Sequence, residues 1–446
     1  MTDTRDIALN ILMDIETNNT FSNIAVSKAL RQNQFADKAD RAFITRLAEG
    51  VTEYRITLDY VINQFSKTKI NKCKPMIRCI LRMGTYQIMY MDSVPDSAAC
   101  NESVKLAKKH GFGSLSGFVN GVLRNIARNI DNVKYPDEHK NKAEYLSVKY
   151  SMPCWLVEKI LGDYPEHGEK IIAGSFEDRD TTIRVNSLKT TVSELKEELT
   201  DNNITVRDGH YDNNALIISD YDFVRKVPGY RQGKFTVQDE SSMCAVRAAG
   251  IEPGDIVIDV CAAPGGKSTA AAEYLGGKGK VYSFDISEDK LELIEENVTR
   301  LGLENVYIGS RDATKPLTYS ELAELDSEID GTIDEIVSAD VVIADLPCSG
   351  LGITGRKNDI KYRVTEAQLN ELVILQREIL GVVSRYVKAG GTLLYSTCTI
   401  NPDENHNNVK WFLGCHDEFE MVTERLFLQG VDECDGFYYA VLKRAR

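Results

Sequence analysis

The chain has 446 residues, more than the roughly 100–200 of one domain, and its 43% hydrophobic and 27% charged residues exclude wholesale disorder and a fibrous protein. No apolar run approaches the ~18 residues of a spanning helix, and the start MTDTRDIALN is too polar for a signal peptide. Ten cysteines without a C-x-x-C pair, and six scattered histidines, argue against a disulfide framework and a structural zinc, so a cytoplasmic protein with no metal and no membrane partner is expected. A net charge of −14 speaks against a nucleic-acid partner until it is divided. Residues 1–150 hold 22 Lys and Arg against 16 Asp and Glu, a balance of +6, which leaves −20 for the other 296.

The first 130 or so residues read as a helical bundle. IALNILMDI, FSNIAVSKAL, RAFITRLAEGVTEYRITLDYVINQF, MIRCILRMGTYQIMYM and FVNGVLRNIARNI repeat apolar residues every three or four positions. Basic residues gather at Lys67, Lys69, Lys72, Lys74, Arg78 and Arg82 and again at Lys105, Lys108, Lys109, Arg124 and Arg128, a solvated face or an RNA contact. Residues 136–150 form a polar connector, after which the pattern turns mixed: 181–188 and 215–220 are strand-like, with a helical stretch between them. Short apolar runs at 256–260, 280–284, 306–308, 341–344 and 392–396 then alternate with helical patterns, which predicts a parallel sheet with helices on both faces. Between the third and fourth of these runs, residues 316–340 carry eight carboxylates (Glu321, Glu324, Asp326, Glu328, Asp330, Asp334, Glu335, Asp340) and no Lys or Arg, which predicts an exposed insertion.

IVIDVCAAPGGKST is a strand, a Gly/Pro-rich turn and a helix start, a form that lets backbone amides approach a ligand. It lacks the G-x-G-x-x-G of a dinucleotide site, and a P-loop would need glycine where Cys261 stands. A third reading is an S-adenosylmethionine site. Asp285, 19 residues after Gly266 at the end of the next strand, suits a ribose diol, and Asp312 follows the third strand, where adenine would lie. Two cysteines end later strands: Cys348 in VVIADLPCSG, beside Asp345 and Pro347, and Cys398 in TLLYSTCTI. Parallel sheets bind ligands at that edge, so both thiols and the turn should meet in one crevice. The other cysteines read as small buried hydrophobes, with Cys261 lining the turn without chemistry.

CAAPGGK, DLPCSG and STCTI, in that order, resemble the RNA 5-methylcytosine methyltransferases that carry two motif cysteines. LRMGTYQIMYMDSVPDSAACNESVKLAKKHG and GFVNGVLRN resemble the NusB-like RNA-binding domain of the RsmB (Sun/Fmu) branch, and RVN (184–186) and FTVQDESS (235–242) extend the likeness over nearly the whole chain. The resemblance implies three parts: an all-α NusB-like domain (1–135), a small α/β connecting subdomain (136–235), and a Rossmann-like α/β domain of class I S-adenosylmethionine-dependent methyltransferases (236–446). It implies small-subunit (16S) ribosomal RNA as substrate and S-adenosylmethionine as cofactor; a monomer is expected.

By position, the resemblance has Val260, Cys261, Ala262, Ala263, Pro264, Gly265 and Gly266 wrapping the methionine part of the cofactor, with Asp285 on its ribose and Asp312 on its adenine side. Asp345 would lie between cofactor and cytosine, Cys398 would be the nucleophile, and Cys348 would assist product release. The nucleophile must be a thiolate, whereas an ordinary thiol of pKa ~8.5 is mostly protonated at neutral pH. Lys267 and the positive sulfonium of the cofactor are the expected local sources of its lowering. Leu346 replaces the usual Ala of Asp-Ala-Pro-Cys, Arg311 precedes Asp312 where Gly is frequent, and RKNDIKY (356–362), a loop implied to hold substrate, ends in Tyr362 instead of Trp. Transfer RNA or another ribosomal cytosine are alternative substrates. A DNA-type enzyme would use Cys348 as nucleophile, and a non-catalytic assembly factor would bind RNA without transfer.

Overall fold

The computed structural model describes residues 3–33, 37–177, 179–332 and 335–445. Two compact units emerge, one of residues 1–176 with 354–363 and the other of residues 177–353 with 364–446.

The first unit is helical: α1 (Thr4–Asn18), α2 (Ser22–Gln32), α3 (Lys38–Glu53), α4 (Arg55–Phe65), α5 (Pro75–Tyr90), α6 (Asp96–Lys109), α7 (Ser116–Arg128), α8 (Lys142–Lys149), α9 (Cys154–Asp163) and α10 (Gly168–Gly174). Proline stands at the start of α5, where its missing N–H costs no bond, and residues on every side of that helix are buried, so α5 is the bundle's centre. Ile77, Ile80 and Leu81 pack there against Leu9, Leu47, Leu58 and Leu123. The expected basic face is thinner than the sequence suggested. Arg82 is 7% exposed and grips Asp59 with two bonds of 2.7 Å and Glu16 with one of 3.0 Å, and Arg78 pairs with Glu16 at 2.5 Å. These two arginines hold the bundle together; Lys67, Lys69, Lys72, Lys74, Lys105, Lys108, Arg124 and Arg128 are exposed.

The second unit starts with an antiparallel sheet of order β2-β3-β1-β4, made of β1 (Thr181–Val185), β2 (Thr205–Asp208), β3 (Ala215–Ser219) and β4 (Phe235–Val237), with α11 (Val192–Asp201) between β1 and β2. Then come α12 (Glu240–Ala248), β5 (Ile256–Asp259), α13 (Gly266–Leu275), β6 (Lys280–Asp285), α14 (Glu288–Leu301), β7 (Val306–Ser310), α15 (Tyr319–Leu322) and β8 (Ala339–Asp345). After α16 (Ile360–Arg363), which belongs to the helical unit, follow α17 (Glu366–Val383), β9 (Val387–Thr397), α18 (His406–Cys415), β10 (Phe419–Phe427) and β11 (Phe437–Arg444).

The large sheet runs β10-β11-β9-β8-β5-β6-β7. Its five expected strands, β5 to β9, are parallel, while β11 and β10 add an antiparallel edge that sequence periodicity did not mark. β10 reads EMVTE through its middle and is exposed there, as an edge strand is. Residues of α17 and α18 cover one face of the sheet, and residues of α12, α13 and α14 the other. The chain builds outward from β5 to β7 and then returns to lay β8 on the other side of β5. The crevice of such a sheet opens at that reversal.

The acidic segment is more than the expected exposed insertion. Leu317, Leu322 and Val337 are buried in the sheet's core, and Asp326, 2% exposed, accepts hydrogen bonds from Lys280 at 2.5 Å and Tyr282 at 2.7 Å. Apolar residues spaced among the carboxylates anchor it, and composition alone hid them. Asp334 lies outside the described residues.

Candidate active site

At the end of β5 the chain leaves the sheet through Val260 to Gly265 and re-enters helix at Gly266. Val260 N–H donates to the Ile343 carbonyl at 3.1 Å, Ala262 N–H to that of Phe284 at 2.8 Å, and Gly265 N–H to that of Ala262 at 2.7 Å. Gly265 holds φ +97°, and a Cβ there would meet Ile294 at 3.2 Å, so the tight turn needs glycine. The Ala263–Pro264 peptide is cis. Burial pushes the Cys261 thiol upward, in keeping with a lining role.

Asp285 ends β6 and is 7% exposed. Its Oδ2 accepts Ala263 N–H at 3.3 Å and its Oδ1 accepts Ser287 N–H at 3.1 Å, so each oxygen keeps a lone pair for a hydroxyl. That pair of acceptors fits the two hydroxyls of a ribose diol beside the turn. Asp312, beyond β7, uses Oδ1 to accept from Thr314 N–H at 3.0 Å and Thr314 Oγ1 at 2.7 Å; those bonds hold its carboxyl below the usual range, and Oδ2 lies 3.9 Å from the Lys315 ammonium. β7 is the outermost strand on this side, so Asp312 sits at the far end of the site from the cysteines.

The other half comes from β8 and β9. Their register sets Asp345 opposite Ser396, so the segments that follow, with Cys348 and Cys398, leave the sheet side by side. The two sulfurs are 3.4 Å apart, a hydrogen-bonded contact well beyond the ~2.05 Å of a disulfide. The Cys348 thiol is pushed well above its ordinary value, first by that hydrogen bond, then by burial and the negative neighbours Cys398 and Glu404. Either sulfur can donate in this contact, and the raised Cys348 thiol is the one that keeps its hydrogen in the reading proposed below.

Lys267, in the first turn of α13, gives its ammonium to Asp345 Oδ2 at 2.6 Å and lies 5.0 Å from the centre of the Phe437 ring. Ser396 Oγ donates to Asp345 Oδ1 at 2.8 Å. Cys348 is in contact with the Cys398 sulfur, and any influence of Lys267 on that thiol acts through space from its ion pair with Asp345. This pair also ties the cofactor turn to the cysteine half of the crevice. Beneath it, Asp259 is fully buried, takes a bond from Ser268 Oγ at 2.6 Å on Oδ2, and has no hydrogen-bond partner for Oδ1 among the described residues. Burial pushes its carboxyl up to about 7.

Several contributors escaped the sequence reading. Arg184 of RVN, 3% exposed, donates to the Gly266 carbonyl at 2.9 Å, to Thr269 Oγ1 at 3.1 Å and to both Glu273 oxygens at 2.9 and 3.2 Å, fastening the small sheet to α13. The motif was visible, but its target 82 residues on was not. Ser396 stands in the STCTI motif, which assigns it no role, and Glu404 carries no local signal. The 356–362 loop belongs to the helical unit. Asp359 accepts from Ser22 N–H and Oγ at 3.0 Å, Tyr362 packs under Arg55 at 3.9 Å, and Lys361 is 2% exposed.

Three family models match the chain: "NusB family" over residues 2–128, "Methyltr_RsmF/B-like, ferredoxin-like domain" over 152–222, and "16S rRNA methyltransferase RsmB/F" over 248–443. A Bacillus subtilis protein named "Probable ribosomal RNA small subunit methyltransferase B" is 34% identical over 94% of this chain and 90% of its own length. A Synechocystis protein of the same name is 32% identical over 100% of both. Among solved structures, PH0851 superposes with a TM-score of 0.81 at 26% identity, covering 100% of this chain and 99% of that one. NSun6 from Pyrococcus horikoshii, solved with SFG, shares the fold at a TM-score of 0.56 and 21% identity, over 66% of this chain and 98% of that one. No helix among the described residues is long and apolar enough to cross a membrane, and no group of three or more His, Cys, Asp or Glu among them is placed to hold a metal ion. On this sequence likeness, which runs the length of the chain, it belongs to the ribosomal RNA small subunit methyltransferase B family.

Proposed function

We propose that this methyltransferase acts on carbon 5 of a cytosine in small-subunit ribosomal RNA, through a covalent bond between Cys398 and ring carbon 6. The observation that carries this reading is the sulfur pair at the ends of β8 and β9, beside Asp345. Carbon 5 of cytosine is too weak a nucleophile to take a methyl group unaided. Addition of the Cys398 thiolate at carbon 6 moves electron density to carbon 5, one hard step becoming two easier ones. S-adenosylmethionine, when bound, supplies an electrophilic methyl group.

Val260 to Gly266 would hold the methionine part, Asp285 the ribose and Asp312 the adenine side. The Lys267–Asp345 pair faces the ring nitrogen and stabilises the charge that addition places there. Cys348 donates its hydrogen to the Cys398 sulfur, steadying the thiolate before attack. After carbon 5 loses its proton to a base or to water, the same hydrogen bond receives the departing thiolate. The target base must leave its stack to reach the crevice, which favours an unpaired or flipped nucleotide. The matched models fall one within each of residues 1–135, 136–235 and 236–446, which supports the first as an RNA-binding part and the third as the catalytic part; the expected 136–235 subdomain is divided, residues 136–176 packing with the helical unit and 177–235 with the sheets.

The test is methyl transfer from labelled S-adenosylmethionine to unmodified small-subunit ribosomal RNA, with transfer RNA as competitor and bisulfite sequencing of the product. Label at one ribosomal cytosine, lost in Cys398→Ala, is the expected result. Label in transfer RNA alone would move the substrate. An adduct that persists in Cys348→Ala supports the assigned roles, whereas abolished attack in that variant would mark Cys348 as the nucleophile. Cofactor binding with no transfer to any RNA would leave an assembly factor.

A further inference from the structure

One buried carboxylate near the sulfurs has no part in the chemistry above. Glu404, six residues beyond Cys398, is 0% exposed, and four donors converge on it. Ser349 N–H at 2.9 Å and Gln376 Nε2 at 3.0 Å reach Oε2, while Ser349 Oγ at 2.6 Å and Asn401 Nδ2 at 3.0 Å reach Oε1. Gln376 Nε2 also donates to the Pro347 carbonyl at 2.9 Å. Both neighbours of Cys348 are thus tied down.

The adjacent Asn405 does the same for Cys398. Thr397 Oγ1 donates to its Oδ1 at 2.5 Å, and its Nδ2 donates to the Thr399 carbonyl at 2.9 Å. Ser349 Oγ and Thr399 Oγ1 lie 2.7 Å apart and join the two halves. Every acceptor site that Glu404 offers to this network is in use, and bonds to a charged acceptor are stronger than neutral ones. The other charged groups around the thiols are engaged elsewhere: Asp345 with Lys267 and Ser396, and Asp259 with Ser268. Tyr395 gives its hydroxyl hydrogen to the Glu404 carbonyl.

We infer that Glu404 is a positioning residue for methyl transfer, holding the Cys348 and Cys398 loops in register so that the two sulfurs meet at hydrogen-bond distance. The inference rests on the reading in which Cys398 attacks and Cys348 assists release. The negative field of Glu404 acts in the same direction, since it opposes ionisation of Cys348.

The experiment compares wild type, Glu404→Gln, Glu404→Asp, Cys348→Ala and the Glu404→Gln/Cys348→Ala double variant on small-subunit ribosomal RNA with labelled S-adenosylmethionine. Iodoacetamide alkylation of Cys348 and Cys398, read by peptide mass, runs beside it. Glu404→Gln should lower kcat by about tenfold with KM within about threefold, and should accumulate the protein–RNA adduct. Glu404→Asp, which keeps the charge, should recover part of the loss. The double variant should be no worse than Cys348→Ala. In wild type Cys398 should alkylate first, and Glu404→Gln should narrow that preference by about fivefold. Wild-type kcat in Glu404→Gln, additive loss in the double variant, or loss of cofactor binding in both Glu404 variants would overturn the inference, the last because the side chain would then serve the fold alone. If Cys348→Ala accumulates no adduct, the assigned cysteine roles are at fault, and the alkylation pattern, which needs no RNA, still decides the positioning.

Discussion

Two buried cations meet α13, and they do opposite work. Arg184 approaches from the small sheet and fills its guanidinium with the Gly266 carbonyl, Thr269 and both oxygens of Glu273, whose carboxyl burial lifts above the usual range despite that partner. Lys267 projects from the helix's first turn to a single carboxylate, and Asp345, whose side chain is 29% exposed, still faces the crevice. A planar fork saturated by fixed acceptors is a fastener. An ammonium with one acceptor among the described residues, set beside a half-open carboxylate, keeps N–H groups for a charge that comes and goes. Burial alone does not separate the two; the number of unfilled bonds does.

That contrast can be broken. The largest expected effect is on stability: Arg184→Met should cost about 3–5 kcal/mol, because it leaves Glu273 buried without its partner. Urea unfolding measures it, and Arg184→Met/Glu273→Met should recover part of the loss. The folded fraction of the single variant should turn over near the wild-type rate; a collapse of its kcat would make the fastener part of the chemistry. Lys267→Met should do the reverse, lowering kcat about 10²–10³-fold with little change in Tm. A large fall in Tm with unchanged turnover would erase the distinction.

Asp259 sharpens the picture through pH. Burial holds its carboxyl at about 7. Between the unfolded value of about 4 and that value, the folded chain keeps a proton that the unfolded chain has lost. Stability therefore falls as pH rises through this window, by at most about 1.4 kcal/mol per unit. Asp259→Asn should flatten the fall, seen by unfolding at about pH 5 and about pH 7; an unaltered slope would assign it to other groups. The smallest effect belongs to Ser396→Ala, which removes one bond to Asp345, worth about 1 kcal/mol, and should slow turnover by about fivefold. No change in rate there would show that Lys267 alone orients the carboxylate.

What the sequence disclosed follows the range of the interactions. The turn from Val260 to Gly266, Asp285, Cys348 and Cys398 were legible because each lies in a short motif at the end of an apolar run, and parallel strands carry such ends to one edge. The sulfur pair needed one further step, the β8–β9 register, which only the structure supplies. Contacts that close over long stretches were not legible. Arg184 meets Thr269 and Glu273 across 85 and 89 residues, Lys267 meets Asp345 across 78, and Ser349 meets Glu404 across 55. The edge pair β10 and β11 was missed because β10 is exposed along its middle and its apolar and polar residues do not alternate cleanly. The acidic segment misled for the opposite reason: its many charges drew the eye from Leu317, Leu322 and Val337, which decide where it packs.

The chain's passage between its two units deserves to be seen as topology. Residues 177–353 belong to one unit, 354–363 return to the other, and the chain leaves it again at 364. The helical unit is thus built from two separated pieces of chain, and its second piece begins six residues after Cys348. Asp359 caps the start of α2 through Ser22, and Tyr362 gives its hydroxyl to the Ser151 and Glu53 carbonyls. A fragment ending at residue 176 would lack these bonds, so the protein cannot be dissected like beads on a string. Replacing the helical unit would therefore mean replacing residues 354–363 as well as 1–176.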